Sequence, residues 1–312
     1  MVKKTAPMNN SLYKSMQVVG VFLVVIVFNY GCQSKQKSEE NLSYPTEGQA
    51  TIGVDNSLVI LADHLDFVFE NTYPKATLTQ RYYNENELIA KMTNDSFNMI
   101  IMSRMLNENE LKYYKTINLN PVHQHFASDA LAIITSSNND SIITLKDLKS
   151  ALLSSTEHWY AVLFNTQSKS SLMAIIQNKK QLNNAPSHYY GIESIDSVVL
   201  YLNKNKKSFA LINIQEYEKL KPTLMGKKCQ LVGVETILNN QKTIAFPFQS
   251  YIADSTYPLV RKLYTITVEG RSGLGTGFAS FISSYKGQLV VLRDGYLPAT
   301  MPQRQLNIKN GF

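Results

Sequence analysis

The sequence predicts an α/β fold with largely parallel sheets. Short runs of apolar and β-branched residues alternate along the chain with segments whose apolar residues recur at helical spacing. Such alternation is typical of strand–helix–strand units. In three places an apolar run leads directly into a polar turn that contains serine and stands at a helix start. No repeat at a solenoid period accompanies this alternation.

The first of these units lies near position 50. Residues 51–54, Thr-Ile-Gly-Val, predict a strand, and the polar residues 55–57 separate it from apolar positions at helical spacing over 58–69. Ser57 is a suitable N-cap residue. The helix is expected to end before Pro74, because proline interrupts the helical hydrogen-bond ladder.

The remaining elements follow from the same patterns, in chain order. Apolar or β-branched runs predict strands over 98–102, 130–134, 161–164, 209–214, 230–234, 263–268 and 288–292. Helical spacing or a helix-start signal predicts helices over 85–93, from 107, over 145–152 after a Thr144 cap, from 172, over 198–203 and over 278–282. Residues 273–277, Gly-Leu-Gly-Thr-Gly, fit neither the dinucleotide fingerprint nor a nucleotide-binding loop. We therefore interpret them as a hairpin or as a turn at a helix start.

The N-terminus has the composition of an export signal. Three lysines precede an apolar run over 18–28, and Gly31 stands immediately before Cys32. The run is shorter than the roughly 20 residues that a membrane-spanning helix needs. We predict that residues 1–31 are a lipoprotein signal peptide and that Cys32 becomes the lipidated N-terminus. The alternative is an uncleaved N-terminal anchor, and in both cases the rest of the chain lies in the cell envelope, outside the cytoplasm, held to a membrane.

A flexible tether is predicted to follow the lipidation site. Residues 32–47 are polar and charged and offer almost no apolar surface to bury. Ordered structure is therefore expected to begin near Ala50.

The charge balance and the cysteine count exclude several classes of protein. The formal net charge of +7 includes three signal-peptide lysines, so the mature chain is near +4. This charge is too small to indicate nucleic-acid binding, and no basic cluster is interleaved with aromatic residues. Cys229 has no disulfide partner once Cys32 is lipidated. His123 and His125 alternate on one possible strand face without a third ligand, so we predict neither a metal site nor a cofactor.

Serine-bearing turns at the ends of predicted strands are the main chemical signal. Ser57, Ser103 and the pair Ser170 and Ser171 stand where helix-start N–H groups and the positive end of a helix dipole bind oxyanions. Arg104 adds a guanidinium group that suits phosphate-like geometry. For any single serine, helix capping is the alternative interpretation. Joint binding of an anion requires that the fold brings these turns together.

No set of catalytic residues stands out in the sequence. It contains no Gly-x-Ser-x-Gly elbow, and none of its five histidines has a motif partner. We predict that the chain is not an enzyme. An extracytoplasmic hydrolase is the weaker alternative, and it would need a histidine within reach of one of the serines.

A family resemblance covers nearly the whole mature chain. The segments that carry it are 50–58, 103–104, 128–134, 170–171 and 257–299. The last of these is the most specific, with Tyr-Pro-Leu-x-Arg near its start and Gly-Phe-Ala-Ser-Phe-Ile in its middle. In this order the segments resemble the Bacteroidetes-type phosphate-binding lipoproteins of ABC importers, the PstS-like branch of the type II periplasmic binding proteins.

The resemblance implies a two-lobed type II periplasmic-binding-protein fold with the ligand cleft between the lobes. Lobe 1 would comprise residues 48–127 and 246–312, and lobe 2 residues 128–245. The chain would cross between the lobes near 127–129 and near 243–249.

The resemblance also implies the ligand and its binding residues. A phosphate ion would be held by Ser57, Ser103 and Arg104 from lobe 1 and by Ser170 and Ser171 from lobe 2. The protein would be a membrane-tethered monomer that performs no chemistry and delivers phosphate to ABC permease subunits.

Two features of the sequence qualify this hypothesis. The second-lobe loop reads Lys169-Ser170-Ser171-Leu172, whereas the family usually has Ser-Ser-Thr or Ser-Gly-Thr with an arginine nearby. This departure motivates an alternative function, a non-transport sensor or envelope interaction protein with an altered anion site. Asp55 is the candidate for the carboxylate that accepts the remaining proton of phosphate, and its alternative role is that of a turn aspartate beside Ser57.

Overall fold

The structure is a computed structural model of the 312-residue chain. It describes residues 43–153, 161–165, 189–192, 194–224, 226–238, 241–269 and 272–303. All of these ranges fall within one compact unit that begins at Ser43. The predicted signal peptide, Cys32, the tether up to residue 42, and both Ser170 and Ser171 lie outside the described residues.

Thirteen strands are present in the described part of the chain. In chain order they are β1 (Gly48–Asp55), β2 (Ala76–Tyr83), β3 (Met99–Met102), β4 (Val122–Ser136), β5 (Ile142–Thr144), β6 (Ala161–Asn165), β7 (Tyr189–Ile192), β8 (Ser208–Asn213), β9 (Cys229–Leu231), β10 (Gly233–Leu238), β11 (Gln241–Ala245), β12 (Val260–Thr267) and β13 (Leu297–Pro298).

Nine α-helices lie in the same ranges. They are α1 (Val59–Thr72), α2 (Glu85–Thr93), α3 (Glu108–Thr116), α4 (Leu145–Leu153), α5 (Ile195–Lys204), α6 (Ile214–Leu220), α7 (Gln249–Ala253), α8 (Leu274–Ser283) and α9 (Tyr285–Arg293). Among the described residues, none of these helices has both the length and the apolar composition needed to cross a membrane.

The strands form a large mixed sheet and a small one. The large sheet has the order β2-β1-β3-β12-β4-β8-β6-β7, with β13 and β9 also paired to β4, and the small sheet has the order β11-β10-β5. Strand β1 is parallel to both β2 and β3, and β6 is parallel to β7 and β8. The central pairs β3–β12, β12–β4 and β4–β8 are antiparallel. The predicted α/β class is therefore confirmed, whereas the expectation of largely parallel sheets holds for the two flanks of the large sheet and for the β5–β10 pair of the small one.

Strand β4 joins the two flanks of the large sheet. It runs for 15 residues, and its positions from Phe126 onward are buried. Residues up to Ala130 pair with β12, and residues from Leu131 pair with β8. One continuous strand thus belongs to both flanks, with the change of partner between Ala130 and Leu131.

Aromatic side chains fill the core between α1 and α8. The Phe69 ring contacts those of Phe278 and Phe281 edge to face, with centroid distances of 5.0 and 5.3 Å. Phe69 and Phe278 are completely buried. Burial of each such side chain contributes about 1.5–3 kcal/mol to folding, so this contact fixes α1, and with it the turn that precedes α1, against the C-terminal helices.

The structure corrects two local predictions and adds strands that the sequence did not predict. Residues 288–292, which we predicted as a strand, lie within α9, because Ser284 caps this helix and Gly287, Gln288 and Val291 form its buried side. Ser57 does not cap α1: it lies inside a 3-10 turn, and the side chain of Asp55 caps that turn. Strand β2 was not predicted, because it is an edge strand in which polar residues occupy several exposed positions.

The glycine-rich run is a turn at a helix start, one of the two interpretations that its sequence allowed. It leads into α8, and the carboxylate of Glu269 accepts hydrogen bonds from the backbone N–H groups of Gly273, Gly275 and Thr276 at 2.9, 3.1 and 2.9 Å. A Cβ atom on Gly275 would lie 2.7 Å from this carboxylate, and one on Gly277 would overlap the carbonyl of Pro45. Glycine is therefore required at position 275 for close packing against Glu269 and at position 277 for close packing against the backbone of Pro45.

We expect Glu269→Ala to lower the free energy of unfolding by about 1–2 kcal/mol, because it leaves several N–H groups at the positive end of α8 without an acceptor. Urea denaturation followed by circular dichroism measures the change. Glu87→Ala, at an exposed glutamate in the first turn of α2, is the matched control. An equal effect of both variants would contradict the capping role of Glu269.

Candidate functional site

Three neighbouring strands end at the same edge of the large sheet and carry polar residues there. Asp55 ends β1 and Ser57 follows it, Glu85 follows β2 by two residues, and Ser103 and Arg104 follow β3 directly. Because β1 is parallel to both of its neighbours, their carboxyl ends meet at one edge. The fold thus brings together Asp55, Ser57, Ser103 and Arg104, which the sequence had selected separately.

Asp55 organises the turn after β1. Its Oδ1 atom accepts hydrogen bonds from the Ser57 backbone N–H at 2.8 Å and from the Ser57 hydroxyl at 2.5 Å. Asp55 is completely buried, and its Oδ2 atom has no hydrogen-bond partner among the described residues. One carboxylate oxygen therefore holds the turn, while the other remains an available acceptor.

A buried ion pair lies next to this turn. Arg261 of β12 and Asp129 of β4 are register partners, and Arg261 donates from Nε and Nη2 to Asp129 Oδ2 at 3.0 and 2.7 Å. The third contact of Arg261 runs from Nη1 to the Ser57 hydroxyl at 3.0 Å. Burial alone would lower the pKa of Arg261, yet it stays above its ordinary value because the carboxylates of Asp129 and Asp55 favour the charge. Arg261 is therefore a fixed positive charge that links the centre of the sheet to Ser57.

The loop after β3 is held by two glutamates. The Ser103 hydroxyl donates to Glu85 Oε1 at 2.5 Å, and Arg104 Nε lies 3.5 Å from Glu85 Oε2. Arg104 also forms a two-pronged contact to Glu110, with Nη1 and Nη2 at 2.9 and 3.0 Å from its carboxylate oxygens. Glu110 in turn accepts from the backbone of Asn107, the cap of α3. All three nitrogens of the Arg104 guanidinium thus lie near a carboxylate, and Nη1 also donates to the Met105 carbonyl at 2.9 Å.

The charges at this edge are unusual for an anion site. Two guanidinium groups meet four carboxylates in the described part of the site: Arg104, Arg261, Asp55, Glu85, Glu110 and Asp129. Burial raises the pKa of Glu85; the hydrogen bond from Ser103 opposes this rise and the nearby charge of Asp55 adds to it. The charge of Arg261 also acts on Glu85, so the two groups of contacts form one electrostatic unit.

Of the two histidines on β4, His123 contacts the loop after β3 and His125 lies beside Ser128 of the same strand. His123 Nε2 accepts a hydrogen bond from the Leu106 backbone N–H at 3.2 Å, and His125 Nε2 lies 3.3 Å from the Ser128 hydroxyl. Burial lowers the pKa of both imidazoles. Within the described ranges no group of three or more His, Cys, Asp or Glu side chains could hold a metal ion.

Sequence reasoning missed four charged residues of this arrangement, among them Glu110, which was recognised only as part of a helix-start signal. Arg261 and Asp129 lie in segments that carry the family resemblance, but nothing local marks either of them as part of a site. Glu85 was recognised only as the start of a helix. The one usable signal was a charged residue directly before the apolar run 130–134, which applies to Asp129 but not to Arg261, whose neighbour is Lys262.

Comparison with known proteins agrees with the fold. A family model described as a PBP superfamily domain matches residues 43–286. Among proteins of curated function, none matches the sequence. An ABC-type phosphate transport receptor from Vibrio cholerae is 16% identical, with a TM-score of 0.61 over 80% of this chain and 99% of that chain. PstS from Borrelia burgdorferi is 19% identical, with a TM-score of 0.54 over 80% of this chain and 98% of that chain. The similarity confirms the predicted periplasmic-binding-protein fold of type II.

Proposed function

The chain belongs to the PBP superfamily, and we propose that it is a membrane-tethered solute-binding protein that captures inorganic phosphate for an ABC importer. The observation that carries this proposal is the convergence of Asp55, Ser57, Ser103 and Arg104 at one edge of the sheet. The solved structures with the same fold include an ABC-type phosphate transport receptor and a PstS protein, which supports phosphate as the ligand.

The chemistry of the site suits a partly protonated oxyanion. The hydroxyls of Ser57 and Ser103 and the guanidinium of Arg104 are donors, and hydrogen bonds from charged donors are the stronger kind. Asp55 Oδ2 is a buried acceptor without a partner in the described part of the chain. Phosphate at neutral pH carries a proton that such an acceptor can receive, whereas sulfate does not. Asp55 therefore provides a physical basis for the choice of phosphate over sulfate.

Access to the site requires a conformational change. Ser57 and Ser103 are only 6% and 4% exposed, so an ion reaches them when the parts of the chain that cover them move away. We propose that lobe 1 (residues 48–127 and 246–312) and lobe 2 (residues 128–245) open and close about the crossovers near 127–129 and 243–249. Ser170 and Ser171 would complete the site from lobe 2, and closure would exclude water from the bound ion.

The N-terminal segment would keep the binding protein beside its permease. A lipid on Cys32 and a tether over residues 32–47 would hold a monomeric binding domain at high local concentration at the outer face of a membrane. Mass spectrometry of the mature N-terminus tests this directly. A free N-terminal methionine, with residues 1–31 retained, would contradict the proposed processing.

Calorimetric titration of the full-length chain in detergent tests the ligand. The protein is first unfolded and refolded to remove any bound ion, and phosphate and sulfate are then titrated separately. We expect saturable phosphate binding and at least about tenfold weaker sulfate binding, because one hydrogen bond between charged partners contributes about 1.5–3 kcal/mol. No heat of phosphate binding at millimolar concentration would refute the proposal.

A second candidate function is favoured by the contacts of Arg104. Its guanidinium group is occupied by Glu85 and Glu110, and the loop with Lys169, Ser170 and Ser171 departs from the usual family pattern. A chain with such a site would act without transport, as a sensor or as an interaction protein of the envelope. Deletion of the gene separates the two functions, because a loss of phosphate uptake is expected only for the importer component.

A further inference from the structure

The carboxylate of Glu85 occupies the donors that an anion would use. Glu85 is the first residue of α2, and its two oxygens contact the Ser103 hydroxyl at 2.5 Å and Arg104 Nε at 3.5 Å. Its side chain is only 15% exposed, so these contacts are largely shielded from water. A carboxylate offers the same pair of negatively charged oxygens as one edge of a phosphate ion, so the two groups compete for the same donors.

We propose that Glu85 is an internal competitor of the bound anion, and that it must take up a proton and release these donors when the anion binds. This inference rests on the proposed binding of phosphate at this edge of the sheet and adds a regulation of that site by pH. The proton comes from solvent and stays on the Glu85 carboxyl while the anion is bound. No covalent bond is formed or broken in the protein or in the anion.

The charges that face Glu85 explain why binding of the anion must be accompanied by uptake of a proton on Glu85. They are Asp55 from the loop after β1, Arg104 from the loop after β3, Arg261 from β12 and, behind Arg104, Glu110 at the start of α3. With Asp129 included, the described site holds two positive and four negative groups when all are ionised. A phosphate ion adds one or two further negative charges. Like charges this close repel one another strongly, and a neutral Glu85 carboxyl group removes one of these repulsions.

Glu85 is the carboxylate best placed to accept the proton. Asp129 is held by two hydrogen bonds from Arg261, and Glu110 by two from Arg104 and one from Asn107. Burial raises the pKa of both Asp129 and Glu85. Glu85 differs in that it has one hydroxyl donor and only a longer contact to Arg104. When Glu85 becomes neutral, Ser103 and the Nε group of Arg104 can turn to the anion without leaving a charge uncompensated.

The sign of the pH dependence follows from this cycle. The pKa of Glu85 is above its ordinary value before binding, and the negative charge of the anion raises it further. Between these two pKa values the protein takes up a proton on binding, so phosphate affinity falls by up to about tenfold for each unit of rising pH. Below the lower value Glu85 is already neutral, and the coupling disappears.

Calorimetry of the full-length chain in detergent measures this proton directly. Phosphate is titrated at several pH values in buffers of different ionisation enthalpy, which yields the number of protons exchanged per bound ion. The variant Glu85→Gln keeps an oxygen for the Ser103 hydroxyl but carries no charge. We expect it to bind phosphate about tenfold more tightly near neutral pH and to take up fewer protons than the unmodified chain.

Glu87→Gln is the matched control, since Glu87 lies in the same helical turn and is exposed. It should leave both affinity and proton uptake unchanged. Phosphate itself also changes its protonation with pH, but it does so equally in the experiments on all three proteins. A difference in proton uptake among the proteins therefore reports on Glu85. The buffer series on the unmodified chain gives the proton count even if a variant folds poorly.

The outcomes separate this inference from the proposed function. Phosphate binding with equal proton uptake in the unmodified chain and Glu85→Gln would overturn the inference alone. Weaker binding by Glu85→Gln with unchanged pH dependence would also overturn it, because Glu85 would then assist binding. Absence of phosphate binding in all three proteins would overturn the proposed function and this inference together.

Discussion

The variant Arg261→Met is expected to lose about 3–5 kcal/mol of folding free energy, the largest effect that we expect from a single substitution in this chain. The side chains of Arg261 and Asp129 are only 1% and 0% exposed. Removal of the guanidinium group leaves the Asp129 carboxyl group buried without its positively charged partner, with the Ala130 backbone N–H remaining as a donor at 2.7 Å. The Ser57 hydroxyl loses a donor at the same time, so the turn after β1 is weakened together with the centre of the sheet.

The double variant Arg261→Met/Asp129→Leu distinguishes loss of the pair from loss of one partner. Replacement of a buried ion pair by apolar residues of similar volume is often nearly neutral. We therefore expect the second substitution to restore more than half of the stability lost in the single variant.

Denaturation by urea, followed by circular dichroism of the full-length chain, measures both effects. Lys262→Met is the matched control, because Lys262 is the next residue of β12 and is exposed. It should change stability by no more than about 0.5 kcal/mol. A loss below about 1 kcal/mol for Arg261→Met would show that this pair does not stabilise the junction of β12 and β4.

Local sequence patterns predicted those elements whose own residues determine them. The buried run 98–102 corresponds to β3, and the cap at Asn107 forms a complete capping box at the start of α3. Thr144 likewise accepts a hydrogen bond from the Asp147 backbone at the start of α4. In each case the signal lies within a few residues, and no distant contact opposes it.

Elements whose character depends on distant contacts were not predicted. Residues 288–292 contain two valines and resemble a strand, but Gln288 donates hydrogen bonds to the carbonyls of Phe126 and Ile282 and fixes the segment as a helix against β4. The side chain of Gln288 also accepts from Thr300. Tertiary contacts therefore override a weak local preference.

The residues of the candidate site show the same difference between local signals and distant contacts. Ser57, Ser103 and Arg104 were found because each follows a strand directly in sequence. The contact between Arg261 and Asp129 joins residues 132 positions apart, and that between Ser103 and Glu85 depends on the order of strands in the sheet. A single sequence contains the residues but does not show which strands pair, so it predicted Asp55, the two serines and Arg104 and missed Arg261 and the other three carboxylates.

The variant Asp55→Asn is expected to weaken phosphate binding about 10- to 100-fold, opposite in sign to Glu85→Gln. Asp55 Oδ1 already accepts from the N–H and the hydroxyl of Ser57. The amide oxygen of asparagine would keep that position, which places its NH₂ group where Oδ2 stands. An acceptor for the proton of phosphate would thus become a donor, with a loss of about 1.5–3 kcal/mol.

Sulfate should respond in the other direction. It carries no proton at neutral pH, so the new NH₂ group would donate to a sulfate oxygen, and removal of the Asp55 charge would reduce repulsion. We expect sulfate affinity to stay unchanged or to rise. The ratio of phosphate affinity to sulfate affinity should therefore fall by at least as much as the phosphate affinity itself.

Paired titrations with phosphate and sulfate measure this preference. Asp254→Asn, at an exposed aspartate outside the site, is the control and should leave both affinities unchanged. Equal losses for the two ions would mean that Asp55 acts only by holding the turn around Ser57. A selective loss of phosphate would instead assign the two carboxylates distinct roles: Asp55 would receive the proton of the ion, and Glu85 would compete with the ion for its donors. Phosphate affinity at a given pH would then depend on the balance between these two residues.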